Sequence, residues 1–253
     1  MKKVLIAGCS FVQRMGPHTQ NEIYDGVSFK YASFGGQGLW KIEQVLKYMS
    51  EGRSISPNHN WNNGVRKPGQ LTGYSYLNDY DYVIVQLPGP MRNNIDGAST
   101  TERIITLVDS FEKIGKEAAL RKNIDDYKQK IKDINTLHNN IIFFWYNVAG
   151  VPFKHPINYG DEIIKEMHRF FEDYNFIHLS FEGKPGYHFS EEPCDDEEFI
   201  DYWYKTWPPN LKGKYNDICY MPKVPGTLVR DGHPGKKADL IALKKIYEYV
   251  LEN

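Results

Sequence analysis

Short apolar runs alternate with longer stretches of helical period along this chain. Apolar runs of about 4–8 residues bounded by Gly, Asn or Pro predict buried strands, and apolar residues recurring every three or four positions predict amphipathic helices. Strands are expected at 4–7, 27–34, 82–87, 141–148 and 176–179. Helices are expected between them. Residues 39–49 put Ile42, Val45, Leu46 and Met49 on one face, and 101–114 place Ile104, Val108 and Phe111 at the same spacing. Residues 120–138 step through Leu120, Ile124, Tyr127, Ile131, Ile134 and His138. Residues 161–174 repeat Ile163, Ile164, Met167, Phe170 and Phe171, and the last helix, from Pro234, carries Leu240, Leu243, Ile246, Tyr247 and Val250. Strand alternating with helix predicts an α/β fold: a five-stranded parallel sheet covered by helices on both faces. The chain has no internal repeat and no low-complexity linker, so one domain, 1–253, is expected. Two segments break the pattern. Residues 50–78 are polar, with Pro57, Trp61 and Pro68; residues 181–228 are rich in aromatics and prolines. So long an irregular stretch in a compact domain points to a lid or binding loop, and 181–228 is read as a cap.

Composition narrows the class. The 253 residues carry 31 Lys+Arg against 32 Asp+Glu, a net charge of −1, which argues against a nucleic-acid binder. With 41% hydrophobic and 25% charged residues the chain is an ordinary globular one. Cys9, Cys194 and Cys219 are odd in number and irregular in spacing, which excludes a disulfide framework and a CxxC zinc site. A reducing, cytoplasmic setting follows as the expectation. The start, Met1-Lys2-Lys3 and then Val4 to Cys9, has the look of a lipoprotein signal. Its apolar stretch of about five residues is shorter than the roughly 7–15 that export needs, so it is read as a strand. No run is long enough to span a membrane, and no membrane partner is expected. His18, His59, His155, His178 and His188 lack a metal-ligand spacing, and the acidic run 195–198 reads as a solvated helix start, so no metal site is expected.

In an open parallel sheet, ligands bind beyond the carboxyl ends of the strands. After the first strand come Gly8-Cys9-Ser10-Phe11, and after the second Gly35-Gly36-Gln37-Gly38. The third ends in Gln86 and runs on through Pro88 to Arg92, Asn93 and Asn94; Asp231-Gly232-His233-Pro234 precedes the last helix. Together these supply a hydroxyl, glycine amides, side-chain amides and an Asp/His pair, the inventory of acyl transfer by a serine nucleophile. Each piece has a plainer use: Ser10 and Asp231 are also good helix caps, and Pro234 is favoured at a first helical position. Cys9 reads as a small buried hydrophobe.

Taken in order, the four segments resemble the blocks of the SGNH (GDSL-type) hydrolase superfamily. Gly8-Cys9-Ser10-Phe11 is similar to its first block, Gly-Asp-Ser-Leu, with Cys9 in the Asp place. Gly35-Gly36-Gln37-Gly38 resembles the second, Val83-Ile84-Val85-Gln86 the strand into the third, and Asp231-Gly232-His233-Pro234 the last. Three positions differ from the family pattern. No Gly-x-Asn-Asp follows the third strand, Arg230 stands three residues before His233 with Asp231 two before, and Leu39 replaces the Asn that follows the second block.

The resemblance implies a three-layer α/β/α sandwich of flavodoxin-like type and a cofactor-free serine esterase. Ser10 would be the nucleophile, His233 its base and Asp231 the orienting carboxylate. The oxyanion would be held by the amides of Ser10 and Gly36 with a side-chain amide from Gln86, Asn93 or Asn94. The substrate would be a carbohydrate or other small ester losing an acyl, such as acetyl, group. Arg92, Asn93, Trp203 and Trp207 are candidates for binding it. An O-acyltransferase acting on a glycan and a non-catalytic glycan-binding module on the same fold are the alternatives.

Overall fold

The computed structural model describes residues 1–19, 21–34, 38–52, 76–90, 109–147, 159, 161–180 and 236–253. In chain order the elements are β1 (Lys2–Cys9), α1 (Ser10–Thr19), β2 (Val27–Phe34), α2 (Leu39–Ser50), β3 (Tyr82–Gln86), α3 (Lys116–Asn135), β4 (Ile141–Asn147), α4 (Asp161–Glu172), β5 (Phe176–Ser180) and α5 (Lys236–Glu252). The five strands form one sheet in the order β2-β1-β3-β4-β5, and every pairing is parallel. This is the doubly wound, flavodoxin-like order.

Strand alternation divides the core into two layers. Leu5 and Ala7 of β1, Val83 and Val85 of β3, and Ile141 and Phe143 of β4 face α2, α3 and α4. Val4 and Ile6, Ile84, and Ile142 and Phe144 face α1 and α5. The chain first steps from β1 to β2 and then reverses to β3, β4 and β5, which sends α1 to one face and α2–α4 to the other. The three-layer α/β/α expectation holds. Between α3 and α4, Glu166 bridges Arg121 and Lys128, whose hydrogen bonds hold its carboxyl below the usual range.

Two local outcomes differ from the sequence pattern, and a third expected element is seen in part. Helix α1 was expected only as a cap at Ser10, yet ten residues are helical with Pro17 inside. Proline removes one helical hydrogen bond, at a cost of about 3 kcal/mol in a helix interior. Burial of Val12, Met15 and Thr19 along one stripe offsets it. Second, α3 stops at Asn135, short of His138. His138 belongs to the turn that follows: its Nε2 donates to Tyr80 O (3.1 Å), and its Nδ1 accepts from Asn140 N (3.1 Å). Third, the helix expected at 101–114 is observed over 109–114, its earlier residues lying outside the described set. Gly115, at φ +86°, breaks it from α3, a backbone value that glycine adopts without strain.

Candidate functional site

The switch in strand order lies between β1 and β3, and there the sheet opens at its carboxyl edge. β1 pairs with β3 from Val4↔Tyr82 to Ala7↔Val85 and no further, while with β2 it stays paired through Cys9↔Phe34. One residue beyond the split, the side chain of Gln86 takes over from the backbone ladder. Its Oε1 accepts from Cys9 N (3.1 Å) and its Nε2 donates to Leu87 O (2.7 Å). Gln86 is only 2% exposed, so both halves of its amide need protein partners. A carboxamide has two N–H donors, and the bond to Leu87 O uses one of them.

Close packing explains the glycine before Cys9. A Cβ at Gly8 would press on Val12 Cγ2 and lie 2.8 Å from Gln86 Cβ and 2.9 Å from Gln86 Oε1. Any larger residue would push Gln86 off the Cys9 amide or α1 off the sheet. Cys9 itself is a free, buried thiol, as expected of a small hydrophobe at that place. Ser10 is the first residue of α1, so its backbone stands at the mouth of the split and at the start of a helix.

The loop after β3 is held by the neighbouring strand and by the helical layer opposite α1. Leu87 N donates to Phe144 O (2.9 Å), and the hydroxyl of Tyr127 in α3 donates to Pro88 O (2.9 Å). Complete burial pushes the Tyr127 phenol well up, so it stays a neutral donor. Tyr159, also pushed up by burial, donates to Asn123 Oδ1 (2.7 Å) on the same helix. Sequence reasoning read Tyr127 as one apolar step of a helix. Its hydroxyl was the missed signal, because a buried phenol needs a partner.

Of the candidate residues, the structure thus brings together Ser10, as the first residue of α1, and Gln86 at the end of β3. Gly36, Arg92, Asn93, Trp203, Trp207, Asp231 and His233, with the cap 181–228, lie outside the described residues. Among the described residues no cluster of three His, Cys, Asp or Glu is gathered for a metal, and no helix is long and apolar enough to cross a membrane. A polar hollow of about 480 Å³, lined by Asn135, His138, Glu172 and Asn175, sits at the opposite, amino edge of the sheet, where none of the motifs falls.

No protein-family model matches the chain, and comparison with curated proteins found no match. Among solved structures the chain is similar to a carbohydrate esterase whose active site displays divergent catalytic and non-catalytic binding functions (10% identity, TM-score 0.42). It is also similar to a family two carbohydrate esterase from Clostridium thermocellum in complex with cellohexaose (9%, 0.39). A third is the acetyl xylan esterase Est2A from the rumen bacterium Butyrivibrio proteoclasticus (12%, 0.36). The matches cover 100%, 98% and 98% of this chain but 65%, 63% and 63% of those proteins, so the chain spans under two thirds of their length.

Proposed function

We propose that the chain is a serine esterase of the SGNH type, one domain with a cap at 181–228, which removes an acyl group such as acetyl from a carbohydrate or other small ester. One observation carries the reading: Ser10 opens a helix at the β1/β3 split, the ligand-binding crevice of this strand order. The sequence adds the glycine block and the Asp231–His233 block in the order this chemistry uses.

In this reading Ser10 Oγ adds to the ester carbonyl as its proton passes to His233, and Asp231 orients the imidazole and stabilises its charge. The Ser10 and Gly36 amides, with a side-chain amide near Gln86, hold the oxyanion, each donor contributing about 3 kcal/mol. The C–O bond to the sugar breaks as its oxygen takes the proton from His233. Water then adds to the acyl-enzyme, its proton going first to His233 and then to the departing Ser10 oxygen. Arg92, Asn93, Trp203 and Trp207 would bind the remainder of the substrate. If an acceptor hydroxyl replaces the water, the same steps make an O-acyltransferase.

The test is turnover of a small aryl acetate. Ser10→Ala is expected to lower kcat on the order of a thousandfold or more, and Cys9→Ala to keep most of it. A fluorophosphonate should label Ser10. The reverse pattern would move the chemistry to the thiol. A second reading, a non-catalytic glycan-binding module, is favoured by the absence of Gly-x-Asn-Asp after β3; binding of an acetylated oligosaccharide with no turnover and no labelling would select it.

A further inference from the structure

A buried carboxylate is costly unless it is paired. Asp239 is such a group: it stands in the first turn of α5 and is 0% exposed. The unpaired N–H groups of a helix start favour its charge. Its specific partner comes from the other helix of the layer. His18, in the last turn of α1, donates from Nδ1 to Asp239 Oδ2 at 2.5 Å. That bond fixes a proton on Nδ1. Around it, the Thr19 and Tyr31 hydroxyl oxygens lie 3.1 Å apart, and Thr19 also donates to Met15 O (2.7 Å). Burial chiefly, with the Tyr24 and Asp239 charges adding, pushes the Tyr31 phenol up to about 12, so it stays neutral beside the carboxylate.

The two helices joined by this bond both begin at the site edge. α1 starts at Ser10, and α5 starts three residues after His233. The far end of α5 lies at the opposite edge, where Lys2 Nζ donates to Val250 O (2.6 Å). Among the described residues, Val12 and Met15 of α1 and Leu243 and Ile246 of α5 share one apolar cluster. Apolar contact is non-directional and tolerates sliding; a charge-assisted hydrogen bond sets one register. We infer that the His18–Asp239 bond is a positioning device for the proposed reaction, locking the helix that presents Ser10 to the helix that carries His233 at its head. His18 lies about 12 Å along α1 from Ser10, at 1.5 Å per residue, so a slide of one helix on the other is passed unreduced to the nucleophile. A misplacement of about 1 Å costs on the order of a hundredfold in rate.

The inference rests on the esterase reading, and kinetics on the folded chain separate the two. His18→Leu should lower kcat on an aryl acetate on the order of tenfold or more, leave KM within about twofold, and slow fluorophosphonate labelling of Ser10 in proportion. His18→Asn, which keeps an N–H near the Nδ1 place, should recover most of that loss. Because His18→Leu removes one partner of a buried carboxylate and could prevent folding, the double variant His18→Leu/Asp239→Leu is measured beside it. That pair is apolar and packed, and is expected to keep the parent's Tm yet remain slow. Full kcat in the double variant would overturn the positioning role and leave the esterase standing. A parent protein that neither turns over esters nor labels at Ser10 would overturn the esterase, and the positioning role with it.

Discussion

The two helical layers are built differently. The layer of α2, α3 and α4 meets the sheet through apolar side chains such as Leu39, Leu46, Ile124, Ile131 and Phe171, and its polar link to the open edge is the Tyr127 hydroxyl on Pro88. The layer of α1 and α5 is thinner and buries Gln13, Thr19 and Asp239, while among the described residues of the other layer's helices Lys41 is the buried charged one. The first layer supplies stability by area removed from water, which is indifferent to small shifts. The second, whose helices adjoin the first and last sequence blocks, spends burial on directional contacts. If Ser10 and His233 work together as proposed, this layer places directionality where it would bear on them.

That contrast is open to attack by paired truncation, which carries the largest expected effect. Ile131→Ala in α3 and Leu243→Ala in α5 remove fully buried groups of equal size. Each should cost about 2–5 kcal/mol in denaturant unfolding. Under conditions where both are folded, the α3 variant should keep kcat within about threefold, and the α5 variant should lose more. Equal kcat in the two would erase the functional distinction between the layers. Gly8→Ala probes the point where both layers meet. Overpacking against Val12 and Gln86 should cost about 1–3 kcal/mol, and the displaced Gln86 amide should release the Cys9 N–H, seen as faster hydrogen exchange at that residue. A stable variant with unchanged exchange would show that Gln86 has room to spare.

The smallest effect is the share of the alkaline pH slope that Tyr31 contributes from the α1/α5 layer, read by difference from Tyr31→Phe. Tyr31 titrates near 10 when unfolded and at about 12 when folded. The unfolded chain therefore loses this proton first, and stability present below pH 10 is lost as pH rises through the window from 10 to 12. At pH 11 the loss is about 1.4 kcal/mol. Denaturant midpoints measured from pH 9 to 11 should fall for the parent and fall less for Tyr31→Phe. Parallel curves would mean that this phenol is not held neutral by the layer.

The strands were legible because parallel strands buried on both faces are apolar without interruption; β2 was read at its observed limits, Val27–Phe34. Helix α1 was not legible. Gly16 and Pro17 read as breakers, and Val12, Met15 and Thr19 make too short a stripe to outweigh them. His138 continued a helical period that the chain had already left, since its ring serves Tyr80 and Asn140 in a turn. At the site, the residue types at the strand ends could be read locally. Their pairings could not: Gln86 with Cys9 spans 77 positions and His18 with Asp239 spans 221. His18 seen alone was one scattered histidine.

The order in which the chain is made gives the N-terminal strand an unusual wait. β1 contributes Val4 and Ile6 to the face covered by α5, whose residues 236–252 are synthesised more than 200 residues later. At roughly 5–20 residues per second, that face stays half covered, by α1 alone, for on the order of 10–50 s. Over the same interval His18 and Lys2 wait for the contacts they make across the finished layer, with Asp239 and Val250. β1, an inner strand beside the central β3, is therefore made long before it is sealed. During synthesis the hazard is association through that open apolar face, and the buried His–Asp bond can form only when folding is nearly complete.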